Sequence, residues 1–171
     1  MRVVYLIGAP GSGKSTAVSL ATRDWEHIID WRRPFAHSVY KEGVKLGRTE
    51  AVFPGTDTLS MSVNPLAIDF VQTFDYSLCV AEGDRLANAR FFNACPTLHL
   101  IHLDVPIALA RERARKRAEA LGGKVQDARW WKGRVTKIDN LRAAFPHVSI
   151  DGARTPEAVA SDVRAVIAAA R

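Results

Sequence analysis

Cysteine is scarce: only Cys79 and Cys95 occur in 171 residues, and they do not form a CxxC spacing. That excludes a disulfide-stapled scaffold, a zinc ribbon and a dithiol redox centre. Both thiols read as small buried hydrophobes in a reduced, intracellular protein. No apolar run approaches the roughly 18 residues of a membrane span. The N-terminus enters a strand at once, with no apolar signal core or small-residue cleavage site. No signal peptide is therefore expected, and the chain reads as cytoplasmic with no membrane partner. His99 and His102 are an odd number of residues apart on a strand, so they face opposite sides and make no metal pair. Repeats, low-complexity tracts and linkers are absent too. With 47% hydrophobic and 25% charged residues, disorder is excluded. One domain spanning residues 1–171 is expected.

Charge is present in excess, and unevenly. The net charge is +6. From Arg111 to Arg142 there are eleven Lys or Arg against Glu112, Glu119, Asp127 and Asp139. Such a run is either a solvated helical face or a surface for the phosphates of a nucleotide or nucleic acid.

The apolar pattern alternates between strands and helices. RVVYLI (2–7) reads as a strand buried on both faces, as in parallel sheets. A helix follows from Lys14 to about Trp25, then a short strand over 27–30. Residues 38–64 are mixed, with turn signals at Pro54-Gly55 and Asn64-Pro65. Further strands are expected over 76–81, 97–103 and 148–150. Helices are expected over 65–73, 85–93, 107–121 and 127–144, and a last one begins at Pro156 after Thr155. Five strands alternating with helices predict an α/β, doubly wound parallel sheet. Gly122-Gly123 is the expected hinge within the basic region.

The strongest motif is Gly8-Ala9-Pro10-Gly11-Ser12-Gly13-Lys14-Ser15-Thr16, directly after the first strand. It satisfies GxxxxGK[ST]. Its glycines let backbone N–H groups close around phosphate oxygens at a helix N-terminus. Lys14 would reach the β- and γ-phosphates of ATP, and the Ser15 hydroxyl would ligate Mg²⁺. A second metal-shell acid is expected where the third strand ends, at Glu82 or Asp84; Asp84 can equally cap the next helix.

Phosphoryl transfer also needs a group for the attacking hydroxyl. Asp30 ends the second strand, which is expected beside the first. It is the candidate base, with Arg33 three residues on to grip phosphate. Arg113 and Arg117 share a helix face and can stabilise charge on the transferring group. Arg111, Arg115 and Lys116 are open between function and a solvated face. Trp31, Phe53, Trp130 and Trp131 lie in polar or basic settings, suited to stacking bases or to core packing. The irregular stretch 48–58 reads as an acceptor-binding insertion.

These residues resemble the P-loop nucleoside and polynucleotide kinases. The polynucleotide 5′-hydroxyl kinase domain is similar at the loop GAPGSGKST, at Asp30 with Arg33, at Asp104-Val105-Pro106, and at Arg113 with Arg117. A narrower resemblance is to phage-encoded kinases of 5-hydroxymethyluracil in DNA. It rests on GRTEAVFPGTDTLSMSVNP (47–65), AEGDRLANARFF (81–92) and WWKGRVTKIDNL (130–141). It implies a P-loop kinase fold with a helical basic lid over about 111–142, ATP and Mg²⁺ as cofactors, and DNA as partner. The compartment would be a host cytoplasm. The acceptor implied is the hydroxymethyl group of 5-hydroxymethyluracil in phage DNA. The alternative is a nucleoside or nucleoside monophosphate.

Overall fold

The computed structural model describes residues 1–49 and 54–171. Seven strands form one sheet among them: β1 (Arg2–Ile7), β2 (His27–Trp31), β3 (His37–Tyr40), β4 (Gly43–Leu46), β5 (Leu78–Glu82), β6 (Thr97–Asp104) and β7 (His147–Asp151). Their order is β2-β3-β4-β5-β1-β6-β7. The helices are α1 (Lys14–Ala21), α2 (Asn64–Thr73), α3 (Ala89–Ala94), α4 (Ile107–Ala120), α5 (Ala128–Ala144) and α6 (Pro156–Ala169).

β1 shows why this is a two-faced sheet. Successive side chains of a strand point to opposite faces. Val3, Tyr5 and Ile7 enter the layer shared with α2, α3 and α5. Val4 and Leu6 enter the layer shared with α1 and α6. With helices on both faces, every residue of β1 after Arg2 is buried, which is why RVVYLI is apolar throughout. Helix starts follow local capping. Asp127 accepts from the Trp130 amide at 2.8 Å to open α5, and Thr155 caps α6 ahead of Pro156.

The expected five-stranded, all-parallel sheet is corrected to a seven-stranded mixed one. β4, β5, β1, β6 and β7 do run parallel. The strand beside β5 is however β4, which pairs Val44 with Cys79. β3 is antiparallel to both β2 and β4. This hairpin had no sequence expectation behind it, and it pushes β2 to the outer edge. Ile28 and Ile29 of β2 are accordingly exposed. His99 and His102 do differ in burial, as opposite faces require, with His102 buried. Cys79 is fully buried, and burial pushes the half-buried Cys95 thiol up to about 12. Neither is a thiolate nucleophile at neutral pH. Among the described residues no helix is long and apolar enough to cross a membrane.

Candidate active site

The C-terminal ends of β1 and β5 meet at one cleft of about 410 Å³, with Pro54 and Asp57 of the segment after β4 on its lining. Its floor is the loop from Gly8 to Ser15. Gly13 takes a left-handed conformation, φ +93°, at the start of α1. That turn sets the loop against the positive end of a helix, where an anion is favoured. Lys14 Nζ donates to the carbonyl oxygens of Gly8 at 2.9 Å and Ala9 at 3.2 Å, which folds the ammonium over the loop. Desolvation lowers its pKa, while Glu82, Asp57 and Asp84 pull the other way.

α4 presses on this loop from outside. A Cβ on Gly11 would lie 2.2 Å from the Ala110 carbonyl oxygen, and Gly11 has φ +82°. Gly11→Ala is therefore expected to lower Tm by several degrees and to weaken nucleotide binding, since both strain and a backbone clash must be relieved. Thermal denaturation with and without ATP checks this; an unchanged Tm would mean the contact gives way freely.

Glu82 closes the strand side. It is the last residue of β5, is buried, and accepts from Ser15 Oγ at 2.9 Å. Burial pushes its carboxyl up to about 7 against the opposing pull of Lys14 and Ser15. Asp84, the other expected metal-shell acid, is engaged elsewhere. It pairs with Arg134 and, at 2.8 Å, with Lys137, both on α5. It ties the end of β5 to α5, while Glu82 faces Ser15.

The basic helices supply the remaining wall. Arg111, Arg115 and Arg117 of α4 line the cleft, as do Lys124, Trp130 and Arg134. Arg113 does not: its guanidinium donates to the Gly152 carbonyl at 3.1 Å and braces α4 against the end of β7. Arg111 lies over the Trp131 ring and Arg134 over Trp130. Trp131 is 5% exposed and packs with Ala9, Val105 and Ala110, so it is core, whereas Trp130 faces the cleft more openly.

Asp30 and Arg33 are not brought to this site. β2 is separated from β1 by β3, β4 and β5, which corrects the expectation that the two strands are neighbours. Asp30 is exposed and pairs with His27 at 3.2 Å. Hydrogen bonding from Ser38 holds its carboxyl below the usual range. Trp31 lies exposed on the same edge. Of the irregular stretch 48–58, Pro54 and Asp57 do line the cleft, while Phe53 lies outside the described residues. Asp57 was missed as an individual residue. Only its place in an aperiodic segment between glycine turns hinted at a role.

A phosphate loop opening a helix, a strand-end acid paired with the loop serine, and helices on both sides of a largely parallel sheet define a phosphotransferase of the P-loop kinase class. Within that class the chain belongs to the family described as P-loop Nucleotide Kinase3, whose sequence model matches residues 1–168. Solved structures share the fold, among them three kinases. A sugar kinase from Janibacter sp. HTCC2649 is 15% identical with TM-score 0.58, covering 98% of this chain and 95% of its own. A gluconokinase from Sinorhizobium meliloti 1021 is 12% identical with TM-score 0.57, covering 98% and 92%. A shikimate kinase from Aquifex aeolicus vf5 is 17% identical with TM-score 0.55, covering 97% and 96%. No curated protein matches the chain.

Proposed function

We propose that this kinase transfers the γ-phosphoryl group of ATP to a hydroxyl on an acceptor that itself carries phosphate. The observation that carries this reading is the charge of the cleft. Among the described residues Lys14, Arg85, Arg111, Arg115, Arg117, Lys124 and Arg134 line it against Asp57, Glu82 and Asp84. That is more positive charge than one triphosphate with its metal needs, so an anionic acceptor fits better than a neutral one.

The roles follow from chemistry. Loop amides and Lys14 hold the β- and γ-phosphates. Arg117, on the cleft wall, stabilises charge on the transferring group. Ser15 and Glu82 offer two hard oxygen donors 2.9 Å apart, a set that suits Mg²⁺, which takes few protein ligands and completes its shell with phosphate and water. When bound, the ion neutralises phosphate charge.

The acceptor we favour is the hydroxymethyl group of 5-hydroxymethyluracil in phage DNA. Trp130 beside Arg134 supports it as a stacking surface for a base. Such a base must be extruded or single-stranded to enter. A nucleoside monophosphate is the second reading, favoured by the volume of about 410 Å³, within the range of ordinary small-ligand clefts. Labelled γ-phosphate from ATP, offered with hydroxymethylated DNA, plain DNA, nucleosides, nucleoside monophosphates and water, separates these readings.

Salt provides a second discriminator. Arg129 and Lys132 border a groove on α5 outside the cleft. If they meet a DNA backbone with one or two neighbours, log affinity should fall against log salt with a slope of roughly −2 to −4. Replacing both with Ala should flatten that slope and leave ATP affinity unchanged. Arg134 is unsuitable for this test because it is tied to Asp84. A flat wild-type curve, with phosphorylation of free nucleotides only, selects the second reading.

A further inference from the structure

We infer that Asp57 is the catalytic carboxylate that accepts the proton of the attacking hydroxyl. The inference rests on the kinase reading above and deepens it.

Three acids line the cleft among the described residues, and two are occupied. Glu82 accepts from Ser15. Asp84 is held by Arg134 and Lys137. Asp57 has no cation partner among the described residues; its Oδ1 accepts from the Asp84 amide at 2.7 Å. One oxygen is therefore fixed, and the other is left to act on a ligand. Asp57 lines the cleft together with Lys14, Ser15 and Glu82, and its carboxyl carbon would lie 3.2 Å from a Cβ on Gly83, the residue after Glu82, so it stands at the phosphate end of the cleft.

The carboxylate is also rigidly placed. It sits on a three-residue 3₁₀ turn, Thr56–Thr58. Thr56 is fully buried, and its hydroxyl lies 3.2 Å from the Tyr5 hydroxyl, which donates to the Gly83 carbonyl at 2.9 Å. A Cβ on Gly83 would approach Thr56 Oγ1 to 2.7 Å, so the turn is packed directly on the end of β5. Arg48 N donates to Thr58 Oγ1 at 2.9 Å and anchors the far side. Catalytic groups gain from this kind of preorganisation.

Topology agrees. The segment carrying Asp57 follows β4, the strand hydrogen-bonded to β5, so it emerges at the carboxyl end of the parallel sheet. Ligands of such sheets sit there. Asp30 lies within the edge strand β2 instead, separated from β5 by β3 and β4. In the step, the acceptor oxygen forms a bond to the γ-phosphorus as the bond to the β,γ-bridging oxygen breaks. ADP leaves with that electron pair, and the hydroxyl proton passes to the open oxygen of Asp57 and on to solvent.

The test compares the full-length wild type with Asp57→Asn and Asp30→Asn, using γ-labelled ATP with hydroxymethylated single-stranded DNA and with nucleoside monophosphates. Binding of a fluorescent ATP analogue and Tm are measured alongside. Asparagine keeps the oxygen that accepts from the Asp84 amide, so a purely structural role would leave turnover unmoved. The expected result is a loss of about 10² or more in turnover at saturation for Asp57→Asn, with analogue affinity and Tm retained. Full turnover in Asp57→Asn overturns the inference. So does a collapse of nucleotide affinity with turnover at saturation intact, which would place Asp57 on the metal side. A loss confined to Asp30→Asn overturns it as well. Wild type that labels neither acceptor class sinks the kinase reading itself, a different failure.

Discussion

Lys14→Ala is expected to reduce phosphoryl transfer by about 10³-fold or more while the protein still folds. The size follows from what the ammonium does. Charge accumulates on the transferring phosphoryl oxygens, and a single preorganised donor aimed at such charge is worth about 10² to 10³ in turnover. Here the donor is a full charge in a desolvated setting, since burial lowers the Lys14 pKa, so the upper end applies. Folding should tolerate the change. Among the described residues Lys14 donates only to loop groups, the carbonyls of Gly8 and Ala9 and, at 3.5 Å, the Ser12 hydroxyl, while the core-facing residues of α1 are Ala17, Val18 and Ala21. Circular dichroism and Tm on the variant establish that it is folded, and labelled transfer measures the loss. Unchanged turnover in a folded variant would overturn the assignment of this loop as the phosphate site.

How much of this was legible in the sequence depends on distance along the chain. The loop from Gly8 to Thr16 and its strand and helix are local, and their pattern is sufficient. Pairing between Val44 and Cys79 is not local. The hairpin that makes it consists of two four-residue strands, HSVY and GVKL, joined across Lys41-Glu42 without the Asn-Gly or Asp-Gly signal that marks tight hairpins. Apolarity then misled: His27-Ile28-Ile29 looks like an inner strand, yet lies at the edge with Ile28 60% exposed. The expectation that β2 neighbours β1 rested on that apolarity, and the actual order leaves Asp30 on the sheet edge while Asp57 lines the cleft. The arginines of α4 fail differently. Spacing of four puts Arg113 and Arg117 within about 40° of one another around the helix, but a long side chain chooses its own partner. Arg113 reaches Gly152, while Arg117 lines the cleft. Spacing defines a face; it does not define where a guanidinium ends.

Glu82→Gln should separate catalysis from stability, with opposite signs. Burial raises the Glu82 carboxyl from an ordinary 4.5 to about 7, outweighing the opposing pull of Lys14, Ser15 and Arg117. Between those values the folded chain holds a proton that the unfolded chain has lost. Stability from this group is then fully present below about pH 4.5 and is lost as pH rises through about 7. The linked change is of the order of 3 kcal/mol at most, because each pH unit of that window is worth about 1.4 kcal/mol. At pH 8 the wild type carries this cost of a buried charge, and the isosteric glutamine does not. Metal-free Glu82→Gln should therefore melt a few degrees above wild type at pH 8, and the gap should close towards pH 5. Turnover should move the other way. Glutamine still accepts a hydrogen bond from Ser15 but has no charge to offer beside the phosphates, so transfer should fall by about 10² or more at pH 8. This combination is the mark of a residue kept for chemistry at the expense of the fold. Denaturation at the two pH values, with labelled transfer on the same preparations, checks both halves. A variant that is less stable than wild type at pH 8, or that retains full turnover, would show that the Ser15–Glu82 pair is a structural contact and that the metal-side acid lies elsewhere in the cleft.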